Sequence, residues 1–186
     1  MAPTGSVASE TRANVLDAAF RLAHRDGIAA VTLEAVASEA GISKGGLLYH
    51  FPSKDALIRG MVDSLREEFE AAAQRAAGAD PEIRGRTARA YLSACTDADA
   101  SQSKRWVALI GALVQQPDLL EPWRDLIAPA PAADRAEGTD VVAASIVRLA
   151  ADGLWLADVL GTQPFRPGMR RRVIERLRAM VSEESP

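Results

Sequence analysis

The sequence is poor in the residue types that disulfides, zinc sites and membrane spans require. Among its 186 residues it has one cysteine, Cys95, which excludes a disulfide within the chain and fits a reducing compartment, so we expect a cytoplasmic protein. Two histidines and that cysteine are too few for a typical zinc site, and we predict neither a metal nor another cofactor. No apolar run reaches the roughly 18–20 residues that cross a bilayer, and the N-terminus lacks the basic-then-apolar pattern of a signal peptide. No membrane partner is therefore expected.

Strand patterns and strong charge are also scarce. Aromatic residues make up 5% of the chain, and few segments alternate polar and apolar positions, whereas alanine, leucine, glutamate and arginine are abundant. The composition predicts an all-α fold with a sizeable core, since 48% of the residues are hydrophobic and 25% are charged. The net charge is −3, and the residues up to Pro52 carry four cations and five anions. Charge alone therefore does not indicate nucleic-acid binding, and geometry has to decide that question.

Apolar spacing predicts four helices in the first part of the chain. In the first helix, Leu16, Ala19 and Phe20 begin a stripe at i, i+3 and i+4 spacing. Thr32 is a suitable N-cap for the second helix, and Pro52 ends the third because the residue before a proline resists helical backbone angles. The fourth helix carries one long apolar stripe. The predicted bounds are 10–25, 33–40, 44–51 and 54–77.

The second and third helices are joined by the tripeptide Gly41-Ile42-Ser43. A glycine can adopt the left-handed conformation that ends a helix, and an apolar residue behind it can fold back onto the last turn. The serine is a good N-cap for a helix that begins at Lys44. Two short helices joined by such a turn are typical of a helix-turn-helix motif.

Beyond Gly78 the periodicity predicts five further helices. The segment between Ala128 and Gly138 is rich in alanine and proline, and we expect it to be an exposed, mobile loop. The helix that follows it is apolar on nearly every side, so most of its surface has to be covered. The predicted bounds are 81–97, 103–115, 118–127, 139–161 and 167–182.

Three features of the helix-turn-helix segment occur together: the Gly41-Ile42-Ser43 turn, the Lys44-Gly45 start of the next helix and the Tyr49-His50-Phe51 end. With them, the segment TLEAVASEAGISKGGLLYHFPSKDAL resembles the DNA-binding domain of the TetR family of bacterial transcriptional repressors. The resemblance covers roughly residues 10–60, a third of the chain. Leu48 stands where many members have a tyrosine, and we assign the phosphate contact of that tyrosine to Tyr49.

The resemblance implies a three-helix DNA-binding domain at 10–56, joined by a long fourth helix to a helical effector-binding and dimerisation domain at 57–184. A recognition helix enters the major groove with its N-terminus first, so Lys44 there can contact phosphate or guanine. Two consecutive glycines are poor helix residues, and their presence suggests a close approach of the backbone to DNA. The predicted DNA-binding residues are Thr32, Ser43, Lys44, Gly45, Gly46, Tyr49, His50 and Lys54.

The same resemblance implies a homodimer on an inverted-repeat operator in double-stranded DNA and a small-molecule effector among the C-terminal helices. The effector would favour a conformation whose recognition helices are wrongly spaced for successive major grooves, and the repressor would then leave its operator. The last two helices of each subunit would form a four-helix bundle at the dimer interface. Candidate pocket residues are Met61, Phe69, Tyr91, Trp106, Trp123, Asp152 and Trp155. Candidate interface residues are Leu149, Leu156, Leu160, Val173 and Leu177.

Three alternatives to a ligand-released repressor stay open. The protein could activate transcription instead, or it could be a DNA-binding dimer that takes no ligand. A small all-helical enzyme is disfavoured because its only imidazoles would be His24, predicted on a helix surface, and His50, predicted to face DNA. The residues by themselves do not distinguish one dimer per operator from two.

Overall fold

In the computed structural model, the described residues are 4–97, 100–162, 165–166 and 168–183, and every regular element among them is helical. This confirms the predicted all-α class. Short 3₁₀ helices lie at Ile28–Ala30 and Pro117–Leu120. Within the described part of the chain, no helix is long and apolar enough to cross a membrane. The α-helices are α1 Thr4–Asp26, α2 Leu33–Ala40, α3 Lys44–His50, α4 Lys54–Ala79, α5 Arg86–Thr96, α6 Ala100–Gln115, α7 Glu121–Ile127, α8 Ala130–Ala136, α9 Val141–Leu160 and α10 Met169–Ser182.

The chain folds into two compact units, and α4 contributes residues to both. The N-terminal unit contains the chain up to Leu65 together with Lys104–Leu120. The C-terminal unit contains Arg66–Ser103 and the chain from Glu121 onward. The N-terminal unit therefore holds the helix-turn-helix and also most of α6.

The apolar stripes of α1 to α4 contribute much of the core of the N-terminal unit. Val15 of α1, Val36 of α2 and Leu47 of α3 are completely buried. Phe51, which follows α3, approaches α4 so closely that a Cβ atom at Gly60 would lie 2.5 Å from its Cε1 atom. Each large apolar side chain contributes about 1.5–3 kcal/mol when it is fully buried. One face of α3 is therefore held firmly against the rest of the unit.

The turn between α2 and α3 has the predicted capping geometry. Gly41 has a φ angle of 68°, in the left-handed region, and the N–H of Ile42 donates to the carbonyl of Ala37 at 3.0 Å. The hydroxyl of Ser43 then accepts a hydrogen bond from the N–H of Gly46 at 3.0 Å and begins α3. These bonds satisfy backbone groups at both helix ends, so the local sequence fixes the angle at which α3 leaves α2.

The core of the C-terminal unit lies where α5, α9 and α10 meet. Its fully buried members include Leu92 of α5 and Val147 of α9, and Val181 of α10 is 2% exposed. Gly85, just before α5, has a φ angle of 73°, and a Cβ atom there would overlap the backbone carbonyl of Val181. The start of α5 therefore packs directly against the end of α10, and α5 begins at Arg86 rather than at residue 81 as predicted.

The expectation of an exposed loop between residues 128 and 138 is wrong, because most of this segment forms α8. Pro129 is the N-cap and Pro131 lies in the first turn, where a helix tolerates proline because its N–H would have no partner in the helix. Asp134 of α8 is completely buried, and both its carboxylate oxygens accept hydrogen bonds from the guanidinium of Arg148 on α9. This ion pair fastens α8 to the C-terminal core.

Candidate nucleic-acid interface and ligand cleft

The recognition helix α3 presents one face to solvent. Tyr49 is 83% exposed, while Leu47, two residues earlier, has no exposed surface. The predicted DNA-binding side chains are thus accessible, and the structure brings them together around α3 and the ends of its neighbouring helices. Six residues of the set are exposed, namely Thr32, Ser43, Lys44, Gly45, Tyr49 and Lys54, and Gly46 and His50 are half-buried.

Two of these residues already have a structural role. The hydroxyl of Thr32 accepts a hydrogen bond from the N–H of Ala35 at 3.1 Å and caps α2. The hydroxyl of Ser43 caps α3 in the same way, by accepting from Gly46. Each hydroxyl therefore defines where a helix of the motif begins, and each remains exposed beside the N-terminal amides of that helix.

Lys44 forms an ion pair that the sequence analysis missed. Its Nζ atom lies 2.5 Å from Oε1 of Glu34, which is on the first turn of α2. The hydrogen bond from Lys44 lowers the pKa of the Glu34 carboxyl. The two residues are ten positions apart in the chain, so no local pattern of the sequence indicated the pair. Lys54 is held near the same motif, with its Nζ atom 3.4 Å from the carbonyl oxygen of Ala29.

Neither glycine of α3 is required by packing within the protein. A Cβ atom at Gly45 would lie 3.9 Å from Oγ of Ser43, and one at Gly46 would lie 3.4 Å from the same atom. Both distances are ordinary van der Waals contacts, and neither residue has a positive φ angle. The missing side chains therefore leave open space at the exposed start of α3, where an approaching backbone or phosphate could fit.

A second candidate site lies inside the C-terminal unit. It is a cleft of about 260 Å³ between α4, α5, α7 and the start of α8. The aromatic rings of Phe69 and Tyr91 stand edge to face with centroids 5.1 Å apart, and Phe69 has the same centroid distance to Trp123. The cleft is lined by Phe69, Glu70, Ala73, Gln74, Ala77, Thr87, Ala90, Tyr91, Leu126, Ile127 and Ala130. Such a mainly apolar lining with few polar groups is typical of small-molecule sites.

Two hydroxyl groups of the cleft donate to carboxylates. The Tyr91 hydroxyl donates to Oδ1 of Asp152 at 2.6 Å, and the Thr87 hydroxyl donates to Oε1 of Glu137, also at 2.6 Å. Burial, aided by the hydrogen bond to Asp152, raises the pKa of Tyr91, so its phenol stays protonated. Desolvation raises the pKa of Asp152 as well, and the hydrogen bond from Tyr91 opposes that shift.

Only some of the predicted pocket residues lie at the cleft. Phe69 and Tyr91 line the cleft, Trp123 contacts Phe69, and Asp152 holds the Tyr91 hydroxyl. Trp155 is half-buried against the C-terminal core. The other two candidates, Met61 and Trp106, are buried members of the N-terminal unit and do not line this cleft. Sequence reasoning missed Glu70, Thr87 and Glu137, which carry no recognisable motif.

Helix α9 exposes a stripe of apolar side chains. Five exposed aliphatic residues and Gly153 follow one another along α9 at alternating intervals of four and three residues. This spacing puts all six on one face of the helix. Val173 is half-buried against the core of the C-terminal unit. Leu177 was predicted at the dimer interface, but it is only 7% exposed because it belongs to that core, so this assignment is corrected. The exposed residues are Val142, Ile146, Leu149, Leu156 and Leu160.

An exposed recognition helix on a helix-turn-helix, carried by a chain with a separate ligand-sized cleft, defines a DNA-binding transcriptional regulator of the helix-turn-helix class. A family profile described as "Bacterial regulatory proteins, tetR family" matches residues 15–61. A second, described as "Tetracyclin repressor-like, C-terminal domain", matches residues 85–182. The chain belongs to the TetR family, and the predicted class of regulator rather than enzyme is confirmed.

Relatives of known name agree with this placement. BetI of Paraburkholderia xenovorans, an HTH-type transcriptional regulator, is 32% identical over 174 residues, covering 83% of this chain and 84% of BetI. TtgR of Pseudomonas putida, also an HTH-type transcriptional regulator, is 36% identical over 80 residues, and this match spans 43% of the chain and only 38% of TtgR. The fold is also similar to the crystal structure of the multidrug binding protein EbrR complexed with malachite green, with a TM-score of 0.63. The two sequences are 27% identical, and the match covers 89% of this chain and 96% of EbrR.

Proposed function

We propose that the protein is a homodimeric transcriptional repressor that binds an inverted-repeat operator through α3 and leaves it when a small molecule occupies the cleft. The observation that carries the DNA-binding half of this proposal is the two-faced geometry of α3. Leu47 anchors the helix, while Lys44 at its first position and Tyr49 near its end are exposed. A recognition helix needs this arrangement to insert into the major groove. A protein with this role acts where the chromosome is, and we therefore propose a cytoplasmic location.

The exposed stripe on α9 supports the homodimer. Leu149 is 71% exposed and Leu160 is 54% exposed, on a face where Gly153 leaves room for close approach. A contiguous apolar face of this kind is unusual on a monomer and typical of an interface. A second copy of the chain is the occupant because a two-fold symmetric operator is read by two recognition helices related by the same symmetry.

The cleft supports release by a small molecule. It lies in the unit that does not contain α3, so a ligand there can act on DNA binding only by shifting the population of conformations. A tenfold change in operator affinity requires about 1.4 kcal/mol of differential binding between the two conformations. The related EbrR has been crystallised with malachite green and with ethidium, which shows that a similar fold accommodates such compounds.

Selection of bound sequences from random duplex DNA tests the proposal. The purified protein should enrich an inverted repeat, and fluorescence anisotropy should then give one dimer, or a pair of dimers, per labelled site. A Tyr49→Ala variant should lose operator affinity and keep its melting temperature. Enrichment of no symmetric sequence at moderate salt would refute DNA recognition by this dimer, and stimulated rather than blocked transcription in vitro would make the protein an activator.

A further inference from the structure

We infer that the cleft of the C-terminal unit selects a small amphipathic cation, with an apolar or aromatic body and one ammonium group. This inference rests on the proposed role of the cleft as the effector site and names the chemical class of the effector. It follows from three properties of the cleft: which hydrogen-bonding atoms remain available, how the surrounding charges balance, and which rings face the space.

The hydroxyl groups of the cleft have used their donor hydrogens. The single hydroxyl hydrogen of Thr87 goes to Glu137 and that of Tyr91 goes to Asp152, both at 2.6 Å. A hydroxyl oxygen that has donated its hydrogen still has lone pairs and can only accept. The side-chain amide of Gln74 donates to Oε1 of Glu70 at 3.3 Å. Thr87 and Tyr91 both line the cleft, so a ligand that reaches either hydroxyl oxygen has to supply the donor hydrogen, and a ligand with N–H groups is the better match.

The charges around the cleft also favour a cation. Among the described residues that line it, Glu70 is charged and none is positive. Arg66 lies 3.0 Å from Glu70 and offsets that carboxylate. The buried carboxylate of Asp134 likewise offsets the positive charge of Arg148. The carboxylates of Glu137 and Asp152, directly behind the two hydroxyls, then add negative potential, which opposes an anion and attracts a cation.

The aromatic rings and the size of the cleft restrict the ligand further. Phe69 and Tyr91 both line the cleft, with ring centroids 5.1 Å apart and an angle of 70° between the ring planes. A cation over the face of such a ring is attracted by its quadrupole. The volume of about 260 Å³ is below that of drug-sized pockets, so the ligand has on the order of ten non-hydrogen atoms.

Three probes of nearly equal shape test the inference by isothermal titration calorimetry: 2-phenylethylammonium, the neutral n-propylbenzene and the anion phenylacetate. The full-length protein should bind the ammonium at least tenfold more tightly than the neutral probe, and phenylacetate should be the weakest. Equal or tighter binding of n-propylbenzene or phenylacetate would overturn the inference while leaving the cleft as a ligand site.

Charge-neutral variants assign the selectivity to the cleft. Glu70→Gln leaves the charge of Arg66 without its counter-ion beside the cleft. It should therefore reduce the affinity for 2-phenylethylammonium at least fivefold and leave the affinity for n-propylbenzene unchanged. Asp152→Asn should act in the same direction, because the Tyr91 hydroxyl keeps an oxygen to which it can donate. Glu67→Gln is the matched control: it removes the same charge from an exposed position of α4 that does not line the cleft. If Glu67→Gln lowers the affinity as much as Glu70→Gln does, the selectivity is not local and the inference fails.

Operator release is measured separately, by anisotropy of a labelled operator during addition of 2-phenylethylammonium. Selective binding together with release supports both the inference and the proposed function. Selective binding without release supports the chemical class of the ligand and refutes the effector role of the cleft. Binding of none of the three probes at millimolar concentration overturns the inference, and DNA binding by α3 is unaffected by that result.

Discussion

The ammonium of Lys44 and the carboxylate of Glu34 lie 2.5 Å apart, so the first residue of the recognition helix is held by the helix that precedes it. Both side chains are more than half exposed, at 54% and 65%. An exposed pair of this kind contributes little to stability because water and salt screen it. The pair bears on the proposed DNA contact, because Lys44 can bind a phosphate or a guanine only by giving up Glu34.

Replacement of Glu34 by glutamine should therefore raise operator affinity severalfold. The substitution removes a competitor for Lys44 and a negative charge next to the DNA backbone. The melting temperature should stay almost unchanged. Lys44→Ala should weaken binding and reduce the slope of log affinity against log salt by about one. Anisotropy titrations at several salt concentrations measure both effects. If Glu34→Gln weakens binding instead, Glu34 positions Lys44 for DNA and does not compete with it.

The substitution Gly45→Ala should leave the fold stable and weaken DNA binding. The Cβ atom of Gly45→Ala would meet only Oγ of Ser43, at 3.9 Å, so the variant should be as stable as the wild type or up to about 1 kcal/mol more stable. Operator affinity should fall at least tenfold if the α3 backbone approaches DNA closely at this point. Gly78→Ala, near the end of α4 and also in open space, is the control for propensity alone. Unchanged operator affinity for Gly45→Ala would exclude the close approach.

An aspartate on the α9 stripe should break the dimer and leave the subunit folded. Leu149 is 71% exposed, so Leu149→Asp costs little in a monomer, but in a dimer it places a charge in an apolar contact on both subunits. Analytical ultracentrifugation should show a monomer, and operator binding should collapse. Ile83→Asp, at an exposed apolar residue outside the stripe, should remain dimeric. Leu177→Asp should instead prevent folding, because Leu177 lies in the subunit core. A wild-type monomer at micromolar concentration would refute the dimer.

Loss of the buried carboxylate of Asp134 should be strongly destabilising. In Asp134→Ala the guanidinium of Arg148 stays buried without its counter-ion, which costs about 3–5 kcal/mol. Urea denaturation measures the loss, and Asp125→Ala, at an exposed position of α7, should show almost none of it. The double variant Asp134→Leu, Arg148→Met should recover much of the stability, since apolar residues of similar volume replace the pair. A double variant no better than Asp134→Ala would mean that α8 needs the ion pair itself.

The DNA-binding motif could be predicted from the sequence because its determinants are local. The cap at Thr32, the left-handed Gly41 and the cap at Ser43 each act within about five residues along the chain. The apolar spacing of α1 to α4 likewise depends only on helical periodicity. The sequence therefore predicted which residues of this part of the chain share a helix face or a turn. It also predicted that α3 has an exposed face.

The tertiary structure alone decided which distant residues meet. Thr87 and Glu137 are fifty positions apart, and Tyr91 and Asp152 sixty-one, so no window of sequence could pair them. The same reason explains the errors: α8 is held in place by Arg148, and Leu177 is buried by α5 and α9. Local capping and periodicity determined α1 to α4 and the helix-turn-helix motif of this protein. The cleft and the exposed face of α9 were decided by packing between helices, because burial of a side chain depends on neighbours that the chain brings close only after it folds.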